Sequence, residues 1–430
     1  MAFRQIIHVI GAVVFAISSS GAYAAPAFNP QKLSLAQSYQ IAEQRNYDLR
    51  LSAVAVDNAN AAAGIASQAP NPTLTVQTFG INPRTGIGAG SLRNKTVDTT
   101  IRADQLIERG DKRALRMESA EHFQHAARKD LEETRRQMRI GVAQAYYDVM
   151  AAEKKFTIAQ DNAALYDISV AAAQKRQKAG DIAGADVARL QVDAGRARND
   201  AAQAESDIAR TRQALALLLG LTSQAAQIRL ADDWPEIRFD TLAMPEFLID
   251  RRADVAAAQS RLAATLSARK LALASRTRDV LVGLQYEHYP ASAANLQGSG
   301  NSFGVSVQIP LFVRHQFEGE IRAAEAAVDA ARANLDKTRE LARAELMGSW
   351  EGARLAYGRI KRYDDSLLAA AKKSADAAEF AFSHGALGVM DVLDARRTYR
   401  AIQIDALTAR ADFAKSLVAW QAAIPEEPAQ

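Results

Sequence analysis

The sequence predicts a mainly α-helical, internally duplicated chain with a β-barrel contribution: long antiparallel coiled-coil helices plus four transmembrane β-strands per protomer. Three observations carry this prediction. Apolar heptads are sustained over many turns, the pattern recurs at a fixed offset of about two hundred residues, and each half holds two short segments of period two.

Composition bounds the rest. The chain has 430 residues, 48% hydrophobic and 24% charged, which excludes a disordered or collagen-like protein. Aromatics make up only 7% and alanine supplies much of the apolar count, so closely packed helices are expected rather than a bulky core. With no cysteine, disulfides, thiolate metal sites and cysteine nucleophiles are excluded, and so is an N-terminal lipid anchor. The net charge of +4 is mild and its arginines are interleaved with acids, unlike a phosphate-tracking block.

At the N-terminus, Arg4 precedes the apolar run Ile6 to Ile17, and Ala22-Tyr23-Ala24 is a small-x-small cleavage site. Residues 1–24 therefore read as a secretory signal peptide, with the mature chain starting at Ala25. No later stretch reaches the roughly 18 apolar residues of a spanning helix. An exported chain of this kind would cross a membrane by strands alone.

The duplication is read from Ala179 to Val187 and His384 to Val392. Gly180 and Gly385 are 205 apart (385 − 180), as are Asp186 and Asp391 (391 − 186). With one residue of slippage, Asn46-Tyr47-Asp48-Leu49 matches Arg252-Ala253-Asp254-Val255. The expected organisation is a first repeat over 25–230, a linker over 231–245, a second repeat over 246–424 and a tail over 425–430. β-Hairpins are placed at about 72–106 and 279–310, and helical-hairpin tips near 180 and 385.

The helices follow from the heptads. Val142, Val149, Phe156, Ala163 and Val170 form one row, and Ala145, Ala152, Ala159, Tyr166 and Ala173 a second. After the first tip the rows resume at Val187 and Leu190; 205 residues later they resume at Val392 and Ala395. Each tip glycine sits where a helix C-cap needs positive φ, so adjacent helices fold back antiparallel. A helix from Lys112 to Lys178 would be roughly 100 Å long.

The strands follow from alternation. Leu74, Val76 and Thr78 share one face; so do Val97, Thr99, Ile101 and Ala103, with Asp98, Arg102 and Asp104 opposite. In the second half, Val280, Val282, Leu284 and Tyr286 share a face, as do Phe303, Val305, Val307 and Ile309. The intervening loops, Ile81 to Asn94 and Pro290 to Asn301, are rich in Gly, Ser and Asn, as extracellular loops are. Four strands cannot close a barrel, and open edges are intolerable in lipid. Two copies would give 8 strands and three would give 12, so an oligomer is required.

The order helix, β-hairpin, long helical hairpin, repeated after an export signal, resembles the TolC-type outer-membrane efflux proteins, most closely their CzcC-type cation-efflux branch. The matching segments are Pro70-Asn71-Pro72-Thr73-Leu74, Leu106 to Arg113, Ile309-Pro310-Leu311-Phe312, and Gly385 to Thr398. Two positions depart from the branch pattern. Asp111 stands where Glu-x-Gly-Gly-Lys-Arg has its second glycine, and Ala253 stands for the proline of Arg-Pro-Asp. The resemblance implies a homotrimer in the outer membrane of a Gram-negative bacterium, with a twelve-stranded β-barrel and an α-helical barrel in the periplasm. It also implies a periplasmic adaptor and a proton-driven inner-membrane pump of the resistance–nodulation–division class as partners, exporting heavy-metal cations. The same duct serving a multidrug pump is one alternative, and an exported coiled-coil scaffold without a pore is another.

By the same resemblance, Asp391 and Asp394, with Asp186 as their first-half counterpart, match the acidic periplasmic gate. Asp391 and Asp394 also share one helix face, where acids near a helix N-terminus would equally complement the macrodipole. Gly180, Asp181, Gly385, Ala386 and Leu387 are the expected tip and adaptor-contact positions, and Leu387 stands where some relatives carry a gate arginine. Glu118, His122 and His125 have a ligand-like spacing, but Glu121, Arg128 and Lys129 beside them mark a solvated face. His384 reads as an exposed loop residue. No nucleophile–base arrangement or nucleotide motif stands out, so neither an enzyme, a cofactor nor a resident metal is expected.

Overall fold

A computed structural model describes residues 32–79, 81, 97–238, 246–289 and 300–424. The expected signal peptide, residues 82–94 and 290–299 of the two expected loops, residues 239–245 of the linker and the tail 425–430 lie outside the described residues.

The first half opens with α1 (Leu35–Arg45) and α2 (Tyr47–Ala66). Ser34 starts α1 with a capping box, accepting from the Gln37 N–H while the Gln37 side chain accepts from the Ser34 N–H. Asn46 caps α2 through the Asp48 and Leu49 N–H groups, and Arg252 is the cap residue of the second half's α5 (Ala253–Ala274). The slipped match between Asn46 and Arg252 is therefore a match of helix starts.

Strands β1 (Thr73–Phe79) and β2 (Asp98–Ile107) lead into α3 (Lys112–Lys178) and α4 (Gly184–Leu218). After α5 come β3 (Val280–Tyr289), β4 (Gly300–Gln308), α6 (Glu318–Arg362), α7 (Leu368–Ser383) and α8 (Val389–Ala423). Both α4 and α8 have 35 residues, and their ends are offset by the same 205 (389 − 184 and 423 − 218). α3 runs 67 residues unbroken, whereas a π-helical turn at Tyr363–Leu367 separates α6 from α7. That turn carries Asp364, Asp365 and Ser366, which form helix poorly, and Arg410 of α8 holds the Asp364 carboxylate at 2.8 Å.

The four strands form one antiparallel sheet in the order β1-β2-β3-β4, so the two halves join through β2 and β3. Register sorts the side chains by face. Val76, Ile101, Tyr286 and Phe303 lie in one cross-strand row; Leu74, Ala103, Leu284 and Val305 lie in the next. The opposite face carries Arg102, Asp104, Gln285, Glu287 and Ser306. There Arg102 pairs with Asp104 at 2.9 Å and donates to Ser306 at 3.0 Å. Gly283 makes room for this network: a Cβ would sit 2.5 Å from Ser306 Oγ and 3.1 Å from Arg102 Nη2.

Both strand-to-helix junctions use a left-handed residue, Asp111 (φ 57°) and Phe317 (φ 63°). Aspartate tolerates that conformation better than most residues, which explains how it replaces the glycine of the branch pattern.

The largest core gathers Val142, Tyr146, Val149, Leu215, Leu219 and Ile228 with residues of α1, α2 and α8. Leu33 and Leu230 form a parallel bridge there. The buried Tyr146 hydroxyl donates to the Leu33 carbonyl at 2.9 Å, and its pKa rises because burial disfavours the phenolate. A second junction is ionic. Arg136 of α3 pairs with Glu133 and with Glu345 of α6, and Arg252, 3% exposed, pairs with Asp254 and Glu345. Burial works to raise the Glu345 pKa, but hydrogen bonds from Arg136 and Arg252 outweigh it and hold the carboxyl below its ordinary value.

Candidate functional site

The two helical hairpins end in the same local structure. At the first, the Asp181 N–H reaches the Arg176 carbonyl (2.9 Å) and the Gly180 N–H reaches Gln177 (3.0 Å). At the second, Ala386 reaches Ala381 (2.9 Å) and Gly385 reaches Phe382 (3.0 Å), which is the same Schellman cap 205 residues on. Gly180 (φ 85°) and Gly385 (φ 75°) have open space where a Cβ would lie. Their glycine requirement is therefore one of backbone conformation. Asp181, Gly385 and Ala386 are exposed, and Leu387 is half-buried.

A shared core ties the tips together. Val389 and Leu393 of α8 pack on Ala163, Tyr166, Val187, Leu190 and Ala194 of the first hairpin. Asp391 and Asp394 are exposed, and among the described residues neither makes an ion pair. Asp186 differs, because Arg189 one turn later lies 3.9 Å from it. The 205 offset maps Arg189 onto Asp394 (394 − 189). The first tip therefore offers an acid–base pair, and the second offers two uncompensated carboxylates.

Sequence reasoning missed the ionic seam above the tips. Asp186, Asp193, Asp200 and Asp207 recur every seventh residue along one line of α4. Asp193 accepts from Arg397 at 2.7 Å, Asp200 from Arg400 at 2.9 Å and Asp207 from Lys155 at 3.1 Å. The Lys155 hydrogen bond leads in holding the Asp207 carboxyl below its usual range. Arg396, 8% exposed, reaches Ser169 at 2.7 Å and Glu379 at 2.5 Å. The heptad spacing of the aspartates was the available signal; the partners Arg397, Arg400 and Lys155 lie on other helices and leave no mark in the sequence.

Two of the histidines singled out in the sequence, His125 and His384, are held by hydrogen bonds. His125 Nδ1 lies 2.8 Å from Ser260 Oγ, and Glu118 pairs with Lys270 at 3.5 Å. His384 Nδ1 donates to the Phe380 carbonyl at 2.8 Å, with its ring over that of Phe380. Among the described residues no group of three or more His, Asp or Glu side chains is arranged to hold a metal.

A two-faced antiparallel sheet continuous with paired helical rods defines a class: the outer-membrane channels built from strands and long helices. The backbone superposes on the CmeC outer membrane channel of Campylobacter jejuni with a TM-score of 0.77 at 15% identity, covering 91% of this chain and 85% of that one. In sequence, the chain is similar to the cobalt-zinc-cadmium resistance protein CzcC of Cupriavidus metallidurans, at 26% identity over 85% of this chain and 84% of the relative. It is also similar to the pyoverdine export outer membrane protein OpmQ of Pseudomonas putida, at 25% identity over 91% and 87%. The outer membrane efflux protein family model matches residues 38–221 and 245–424, and the chain belongs to that family.

Proposed function

We propose that this outer-membrane efflux channel is the exit duct of a tripartite, proton-driven system that exports heavy-metal cations. The observation that carries the duct is the sheet: one face is apolar, the other polar, and β1 and β4 leave open edges. Lipid tolerates such a sheet only when its edges are closed, and β4 of one protomer pairing with β1 of the next closes three protomers into twelve strands. The rods then form a periplasmic tube. Gly180, Asp181, Gly385, Ala386 and Leu387 at its rim meet a periplasmic adaptor, which connects it to an inner-membrane pump of the resistance–nodulation–division class. Energy comes from the pump; the duct opens and closes.

Asp391 and Asp394 of three protomers place six carboxylates around the narrow end, a field that retains cations and resists anions. The likeness to CzcC supports metal as the cargo. The likeness to OpmQ favours a second reading, an organic cargo through the same duct.

Expression with its adaptor and pump, in a host stripped of its own ducts, should raise tolerance to cobalt, zinc or cadmium and lower their cellular content. Tolerance gained only toward organic compounds would transfer the cargo to the second reading. A monomer found in the soluble periplasmic fraction would overturn the duct altogether.

A further inference from the structure

The two helical hairpins enclose a cavity of about 400 Å³ beside their tips. That volume lies within the roughly 300–1,000 Å³ typical of small-molecule sites. Its apolar wall comes from four helices: Ile168 and Ala172 of α3, Leu190 of α4, Phe382 of α7, and Val392 and Leu393 of α8. Ile168 is 66% exposed, so a large apolar side chain is left uncovered at the mouth.

The charge along this wall is unbalanced. Lys175, Arg176 and Arg396 are its cations, and among the described residues that line it Glu379 is the one acid. Glu379 is already engaged: Arg396 Nη2 donates to it at 2.5 Å, while Arg396 Nη1 donates to Ser169 Oγ at 2.7 Å. Arg396 is 8% exposed, and its Nε is buried with no hydrogen-bond partner among the described residues. A buried donor left unmade is costly, which favours an acceptor entering the cavity. Arg176 lies 5.1 Å over the Phe382 ring, so a cation of the first hairpin rests on an aromatic face of the second. The nearest acids on the same helices are held by other cations, Asp167 by Arg198 at 2.5 Å and Asp376 by Lys372 at 2.8 Å. Asp181, at the tip, does not line the cavity.

We propose that this cavity binds a small amphipathic carboxylate, its apolar body between Ile168, Leu190 and Phe382 and its carboxylate held by Lys175 and Arg176. The occupant is argued from charge complementarity: two cations without an acid stand beside an apolar wall, and a guanidinium fork matches a carboxylate. Because both hairpins line the cavity, an occupant bridges them and favours the arrangement in which they touch. The binding stands on the fold; its restraint of opening rests on the duct reading above.

The test titrates naphthaleneacetate and its neutral amide, naphthaleneacetamide, into the protein in nanodiscs by calorimetry, with empty discs subtracted. The wild type should bind the carboxylate more tightly than the amide. Lys175→Gln and Arg176→Gln should each weaken the carboxylate by about fivefold and change the amide little. Ala172→Phe, at an exposed position, should fill the cavity and abolish both, whereas Lys373→Gln, which removes a charge outside it, should alter neither. No binding by the wild type, equal binding of carboxylate and amide, or undiminished binding by Ala172→Phe would overturn the site. In planar bilayers the carboxylate should lower the conductance of the wild type and leave that of Ala172→Phe unchanged. Binding without any effect on conductance would overturn the restraint alone, and a protein that conducts nothing would overturn the duct reading itself.

Discussion

At the scale of single residues, the proposed gate rests on charge and backbone conformation at the tips. In planar bilayers, Asp391→Asn with Asp394→Asn should weaken cation selectivity and sensitivity to divalent block. Unchanged selectivity in a correctly assembled variant would leave these acids as partners of the α8 macrodipole. Gly385→Val should destabilise the second tip by about 1–2 kcal/mol, since φ of 75° suits no β-branched residue. Thermal unfolding should show that cost, and export should fall while the protein stays in the membrane. The tip glycines and acids were legible in the sequence because the duplication set them side by side. The partnering of Asp186 was not, because equivalent positions carry Asp394 in one half and Arg189 in the other.

Sheet and helix ends behave as units. Leu284→Arg puts a charge between Leu74, Ala103 and Val305 on the apolar face and should cost about 2–4 kcal/mol near the bilayer midplane. Urea titration of the reconstituted protein reads this directly, and a value near zero would mean the faces are inverted. Ala253 occupies the first position of α5, where a missing N–H is harmless, and Arg252 before it has φ −63° and ψ 145°, as a proline requires of its predecessor. Ala253→Pro should therefore stabilise the protein by about 0.4–1 kcal/mol, measured as a higher unfolding midpoint. The strands, the long helices and the two glycine caps were readable in the sequence, because period, heptad and glycine are local signals; the caps at Ser34 and Asn46 and the π-helical turn at Tyr363–Leu367 were not read there. The order β1-β2-β3-β4 joins the halves by contacts far apart in sequence, and no local signal specifies it.

Across the whole molecule, the first half is fastened to the second through Glu345, which binds Arg136 and Arg252 together. Its lowered pKa means that it contributes stability above the ordinary carboxyl value of 4.5, and this is lost as pH falls through the folded value. Stability of the wild type should therefore decline on acidification below about pH 4.5. Glu345→Gln should flatten that decline while lowering stability at neutral pH, where two arginines lose their carboxylate; an unaltered acid limb would assign the decline to other groups. The π-helical turn at Tyr363–Leu367 gives the two rods different mechanics. The first hairpin rises through 67 unbroken residues; the second is interrupted at that turn, which makes the 16 residues of α7 a lever for any bend there. At 1.5 Å per residue that lever is about 24 Å long, so a bend of about 10° swings its end by roughly 4 Å. The Asp391 and Asp394 carboxylates sit just beyond the end of that arm, so in the proposed trimer a small rotation at mid-height would carry all six of them across the rim.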